Sequence, residues 1–297
     1  MCGRESKSGA RQTQPGQSGC RKSGGRAVTP ARVFLARNVG TTRLSNKENH
    51  QSTEMPVSEI DLMAELAKVD TPTITNVVAT YPNAKTCLGL YNPWTENWYT
   101  DTSIKCMYPE LGARVGYAAT CVFSLPDPNF QGRLSFMDVL DALDALPKPT
   151  ILVLEQKFPK EIAGKVGLAG EIMTTMMQAV GCVGCISNGP SRDIDAIRKM
   201  GFQYHLTGIS PGHGEFAVQS VNAPVSVGGM DVAAGEIVHM DENGACKFPA
   251  DKLQAVYDNV QELLAGEDTT LSALRGAKNA RQVRKAMRGE PYGDEDE

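Results

Sequence analysis

A chain of 297 residues with 41% hydrophobic and 22% charged residues has the balance of a globular protein, and its length allows one or two domains. A net charge of only −4 gives no whole-chain reason to expect nucleic acid as a partner, and without an 18-residue apolar run no membrane span is expected. Plentiful glycine, 29 residues, with 6% aromatics leans toward an α/β domain with many tight turns, and no secretory n-region and h-region are visible.

The charge is uneven along the chain. Residues 1–54 hold ten Lys/Arg against three acids and are rich in Ser, Gly and Gln. Such a segment cannot bury enough apolar surface to offset its ordering entropy, so a disordered basic leader is expected. It reads as an organelle transit peptide, a basic tail, or the product of an upstream start with Met55 as the true beginning. The expected location is cytoplasmic, or mitochondrial or another organelle if the leader is a transit peptide. One domain is expected over 55–265, then a helical extension and acidic tail over 266–297.

In chain order, Ser58 with Asp61 three residues on predicts a capped amphipathic helix in "EIDLMAELAKV". "TPTITNVVATYP" predicts a short helix opened by Thr71 and closed at Pro82, and "CLGLYNPWTENWYTD" an irregular stretch. "ARVGYAATCVF" predicts a strand, "SFMDVLDALDAL" a helix, and "TILVLEQ" a buried strand. A helix starting near Glu171, the strand "CVGCIS", the helix "SRDIDAIRKM" and the strand "QYHLTG" follow. The short runs "AVQSV", "PVSVGG", "EIVHMD" and "ACKF" predict antiparallel strands, and a long helix begins near residues 249–251. The order implies one mixed α/β domain. Of the eight Cys, Cys182 and Cys185 form a lone C-x-x-C without the further ligands of a zinc site. They read as small strand residues in a reduced compartment.

Ligands of α/β folds bind at the carboxyl ends of strands, facing helix N-termini. Two such termini are conspicuous, one at Glu171 and one at Ser191-Arg192-Asp193, and their free N–H groups favour an anion. Arg192 has the geometry to grip a carboxylate at two points, and Asp193 is a hard oxygen ligand suited to Mg²⁺. Glu171 adds a second acid. On residue type alone, an N-cap acid among solvated charges is the favoured reading.

Glu171, twenty intervening residues and Arg192-Asp193 resemble the acid-x20-R-D pattern of the RraA-like family. "LAGEIMTTMMQAVGCVGCISNGPSRDIDAIRKMGF" and "VNAPVSVGGMDVAAGEIVHMDENGACKFP" are similar to two further family blocks, in the right order, and the likeness covers roughly 58–265. The aldolases of the family usually carry Asp where this chain has Glu171, "DG" where it has Asn188-Gly189, and "PGD" where it has Ala234-Gly235-Glu236. The resemblance implies a mixed-sheet α/β sandwich related to the swivelling phosphohistidine domain, assembled as homotrimers or hexamers with sites between subunits. The family includes a regulator of ribonuclease E activity, 4-hydroxy-4-methyl-2-oxoglutarate aldolases and oxaloacetate decarboxylases.

The implied activity is that of a metal-dependent lyase cleaving a carbon–carbon bond of a small 2-oxo acid through pyruvate enolate. The alternative is a non-catalytic regulatory binding protein. In the lyase, Mg²⁺ or Mn²⁺ is bound by Asp193 directly and by Glu171 through water. Arg192 is the substrate-binding cation and, with Glu171, a catalytic residue, and backbone groups at Gly170, Ile172 and Met173 hold the carboxylate. Retro-aldol cleavage also needs a base at the leaving hydroxyl, for which a metal-oriented water is one candidate; decarboxylation needs none. Of the remaining candidates, His239 reads as a site residue or a strand-packing His. His213, in the Gly-rich "SPGHGEF", reads as a lid contacting substrate or a flexible exposed His. Glu262 and Glu267 read as acids reaching a neighbour's metal or as solvated helix-end acids.

Overall fold

The computed structural model describes residues 58–81, 85–127 and 134–293; the predicted leader and the Pro82 stop lie outside them. The described residues open with helix α1 (Glu59–Leu66), whose cap Ser58 accepts the Asp61 N–H and donates to its carboxylate at 2.7 Å. Helix α2 (Thr71–Val78) is capped by Asp70, which accepts the Thr73 N–H at 2.9 Å, and not by the predicted Thr71. A carboxylate is the stronger cap, and Thr71 instead turns its hydroxyl inward to His239.

Strands β1 (Lys105–Cys106) and β2 (Arg114–Ser124) follow, then helix α3 (Phe136–Ala145) behind a Ser135/Asp138 capping box. Next come β3 (Thr150–Lys157), the single turn α4 (Lys160–Ala163), helix α5 (Glu171–Ala179), β4 (Cys182–Ser187), helix α6 (Ile194–Met200) and β5 (Gln203–Leu206). The antiparallel half comprises β6 (Ala217–Val221), β7 (Val225–Val227), β8 (Met230–Val232), β9 (Ile237–Asp241) and β10 (Gly244–Phe248). Helices α7 (Leu253–Gly276) and α8 (Ala280–Met287) end the described chain. The unpredicted β1, α4 and β8 are too short to leave a periodic trace.

The main sheet runs β1-β5-β4-β3-β2-β9-β10, with β6 also on β2. β5, β4, β3 and β2 are parallel, and the rest join antiparallel. The first half of β2 pairs β9 and its second half β6, which is why ten consecutive residues of this strand are buried. The mixed sheet curls until β5 meets the end of β9, where His205 Nε2 lies 2.6 Å from the Asp241 carbonyl. α3, α5 and α6 cover one face; α1, α2 and α7 pack over β2, β9 and β10; the β7–β8 hairpin closes the remaining core. No helix among the described residues is long and apolar enough to cross a membrane.

Cys182 and Cys185 are both buried in the helix-covered core. A three-residue spacing would place them on opposite faces of a regular strand. A bulge, with Thr150 paired to Cys182 and Ile151 to Gly184, inserts Val183 and returns both thiols to one side. Burial pushes the Cys182 thiol up to about 11 and that of Cys185 well above its ordinary value, so both stay protonated packing groups.

Candidate active site

The carboxyl ends of β3, β4 and β5 deliver three segments to one place: Gln156, the loop 188–193 and the loop 207–216. The turn 167–170 brings the N-terminus of α5 against them. Two of the three non-glycine residues with positive φ among the described residues lie here, Ala169 (+55°) and Asp193 (+59°). Such backbone costs free energy and persists where surroundings hold it. The Ala169 carbonyl accepts hydroxyl hydrogen bonds from Tyr204 (2.5 Å), Ser191 (3.1 Å) and Thr174 (3.2 Å). Burial keeps the Tyr204 phenol well above its ordinary range, so it remains a donor.

Asp193 is itself held by its function as a cap. Its Oδ2 accepts the Glu171 N–H at 2.9 Å, capping α5 from another element because α5's own N-cap, Gly170, has no side chain. The Arg192 Nε lies 3.5 Å from the same oxygen, and Asp193 Oδ1 accepts nothing from the described residues. Gly170 is required: a Cβ there would lie 2.3 Å from Asp193 Oδ2 and 2.9 Å from Arg192 Nε. Behind the site, Asn188 continues the β3–β4 ladder with its side chain, accepting the Gln156 N–H at 2.6 Å and donating to the Gln156 carbonyl at 3.3 Å.

Above this frame lies a cavity of about 110 Å³, lined by residues 167–170, Ile172, Met173, Arg192, His213 and Phe216. Within the first turn of α5, the N–H groups of Ile172 and Met173 have no intrahelical partner, and Thr174 is the first to reach back, to Gly170. A half-buried guanidinium beside such donors has the charge and geometry that suit a small carboxylate.

The structure brings Gly170, Glu171, Ile172, Met173, Arg192 and Asp193 together. One detail is corrected: α6 starts at Ile194, not Ser191. Ser191 is held extended by its bridge to Ile209, and the left-handed Asp193 breaks the helical path. The exposed Glu171 carboxylate does not line the cavity. His239 is a packing residue, buried between the Thr71 hydroxyl (2.9 Å) and the Leu66 carbonyl (3.0 Å). Glu262 and Glu267 line a separate groove of about 700 Å³ along α7 and α8. His213 does line the cavity. Sequence reasoning passed over Ala169, Tyr204 and Phe216; nothing in an alanine's identity announces a positive φ.

A family model described as RraA-like: Aldolase/RraA matches residues 94–246, a span that contains the whole of this site. The Legionella pneumophila protein DlpA is 24% identical over 162 residues, 53% of this chain and 25% of that protein; the chain thus spans about a quarter of this curated relative. Among solved structures, Streptomyces coelicolor RraAS2, described as an unusual member of the RNase ES inhibitor RraA protein family, shares 19% identity. It superposes with a TM-score of 0.55 over 70% of this chain and 94% of that one. An uncharacterized protein from Pseudomonas syringae pv. tomato gives 16% identity and a TM-score of 0.58 over 79% and 96%. These likenesses speak to the fold, and the family match covers half the chain around the Arg192-Asp193 pair: the chain belongs to the RraA-like family.

Proposed function

We propose that this protein is a divalent-metal-dependent lyase that cleaves a carbon–carbon bond of a small 2-oxo acid and releases pyruvate. The observation that carries the reading is Arg192 lining a 110 Å³ cavity at the N-terminus of α5, with the adjacent Asp193 presenting one carboxylate oxygen that meets no donor among the described residues. Arg192 and the Ile172 and Met173 N–H groups bind the substrate carboxylate and orient the 2-oxo group. As the bond breaks, negative charge develops on the 2-oxo oxygen, and the fixed guanidinium stabilises it.

The donor set suits a hard cation. Asp193 and Glu171 offer only carboxylate oxygens, and no group of three His, Cys, Asp or Glu converges among the described residues. Mg²⁺, which keeps several waters and takes few protein carboxylates, fits such a site better than zinc. When bound, the cation supplies Lewis-acid stabilisation of the developing enolate charge. Asp193 would hold it directly and Glu171 through water. The proposal includes assembly as a trimer or hexamer: Ile172 at the cavity is 78% exposed and Ile209 61%, an apolar rim suited to a neighbouring subunit. Kinship with the swivelling phosphohistidine domain is part of the same reading.

The likeness to RraAS2 favours a second reading, a regulatory binding protein without turnover. Pyruvate release from oxaloacetate and from 4-hydroxy-2-oxo acids, with Mg²⁺, Mn²⁺ or excess chelator, separates the two. Metal-dependent release supports the lyase, and no release from any substrate sinks it.

A further inference from the structure

Among the described residues His213 is the one imidazole at the cavity, and its position carries more than lining. The loop that bears it is stitched to the rest of the site. Gly167 N–H donates to the Gly212 carbonyl at 2.9 Å, and Ser210 N–H to the Ser191 carbonyl at 2.9 Å. The Ser210 hydroxyl donates to the Lys165 carbonyl at 3.0 Å. Contact is so close that a Cβ on Gly167 would lie 2.8 Å from the Gly212 oxygen and 2.9 Å from that of Ser210. The backbone immediately before His213 is therefore fixed relative to Arg192 and to α5, although the ring itself is exposed.

The ring stands at a boundary. His213 and Phe216 line the inner 110 Å³ cavity and also an outer, open one of about 540 Å³ with Pro126, Gly214 and Glu215. The inner cavity holds Arg192 and the helix N–H groups, so the 2-oxo acid end belongs there; the departing fragment then extends outward past His213. The bond to be broken lies between the two, beside the imidazole. His213 Nδ1 is 3.4 Å from the Gly214 carbonyl, an acceptor, which favours the tautomer with its proton on Nδ1 and the lone pair on Nε2.

We propose that His213 is the acid–base residue of retro-aldol cleavage in this protein, an inference that rests on the lyase reading above. Nε2 takes the proton of the substrate's 4-hydroxyl, and that oxygen becomes the carbonyl of the departing aldehyde or ketone. The C3–C4 electron pair moves into the C2–C3 bond, and the 2-oxo oxygen becomes the enolate oxygen. The imidazolium then hands its proton to C3, giving pyruvate and the neutral ring. Every proton and electron pair is returned, and no further reactant is needed. Decarboxylation of oxaloacetate has no hydroxyl proton to remove and so depends less on this group.

The test uses the full chain with Mg²⁺ and compares pyruvate release from 4-hydroxy-2-oxopentanoate and from oxaloacetate in the parent, His213→Ala and His213→Gln. Loss of a positioned general base costs about 10²–10⁴-fold. Both variants are expected to lose cleavage of the hydroxy acid on that scale, to lower its rate relative to decarboxylation, and to bind oxalate, a planar mimic of the enolate, as the parent does. Added imidazole is expected to restore part of the cleavage by His213→Ala, which a merely structural role would not allow. If both substrates slow equally, or the variants cleave the hydroxy acid like the parent, His213 is not the base and the lyase reading stands. A parent that decarboxylates but does not cleave the hydroxy acid also overturns the inference alone. A parent that releases pyruvate from neither overturns both.

Discussion

Asp193 divides its carboxylate: Oδ2 caps α5 through the Glu171 N–H, while Oδ1 meets no donor among the described residues. Asparagine keeps the acceptor for that N–H and tolerates a positive φ, so Asp193→Asn separates charge from shape. The expected outcome is loss of metal-dependent pyruvate release, with unfolding free energy changed by no more than about 1 kcal/mol. Arg192→Lys keeps the charge but not the planar fork, and a fall in turnover on the order of 10²–10³ is expected at near-parental melting temperature. Near-parental turnover in both variants, on a substrate the parent cleaves, would remove the pair from the site. The pair was legible in the sequence because adjacent opposite charges closing an apolar strand are conspicuous. The strained backbone beneath it was not, because Ala169 takes its conformation from three hydroxyls that lie 5, 22 and 35 residues away in the chain.

The elements that build the site are α5 and the turn before it, and their limit is steric. A methyl at residue 170 would collide with Asp193 and Arg192 together, the two side chains to which the proposed lyase gives metal and substrate. Gly170→Ala is therefore expected to lower activity at least as far as Asp193→Asn does, because it displaces both groups. Circular dichroism should show the helix content retained; unchanged kinetics would mean that the loop 188–193 moves freely, against the bonds that tie it. Tyr204→Phe tests the support from below. It removes one of three donors to the Ala169 carbonyl and is expected to cost about 1 kcal/mol in denaturant unfolding, with a smaller loss of activity than Gly170→Ala. The pattern located α5, β4 and β5 to within two residues, α5 by its one apolar face and the two strands as short apolar runs buried on both sides. It misplaced the start of α6, because the sequence of residues 191–193 suits a first helical turn, while the bridge to Ile209 and the left-handed Asp193 keep it out of the helix. It could not foresee the bulge that turns Cys182 and Cys185 to one side, a matter of register with β3.

At the scale of the whole molecule, the curled sheet is joined at a buried polar seam. His205 of β5 meets the Asp241 carbonyl of β9, while the Asp241 carboxylate accepts the Thr71 N–H at 2.8 Å and His239 bonds Thr71 and Leu66. The seam thus links the parallel half, the antiparallel half and the α1–α2 pair, none of which the sequence pattern tied together. Burial is the main cause that lowers both imidazoles, and it brings His205 from 6.5 to about 4. The unfolded chain therefore binds protons that the folded one refuses. Stability is full above about pH 6.5 and falls as pH drops toward 4, since the slope follows the extra protons bound on unfolding. For His205 alone the loss at pH 4 is on the order of 3 kcal/mol, and His239 adds to it in the same direction. The checking measurement is chemical denaturation between pH 4 and 8 for the parent and for His205→Gln, which cannot titrate. The parent's stability is expected to decline through this window and the variant's to decline less steeply. Parallel curves would place the acid sensitivity elsewhere than at the seam.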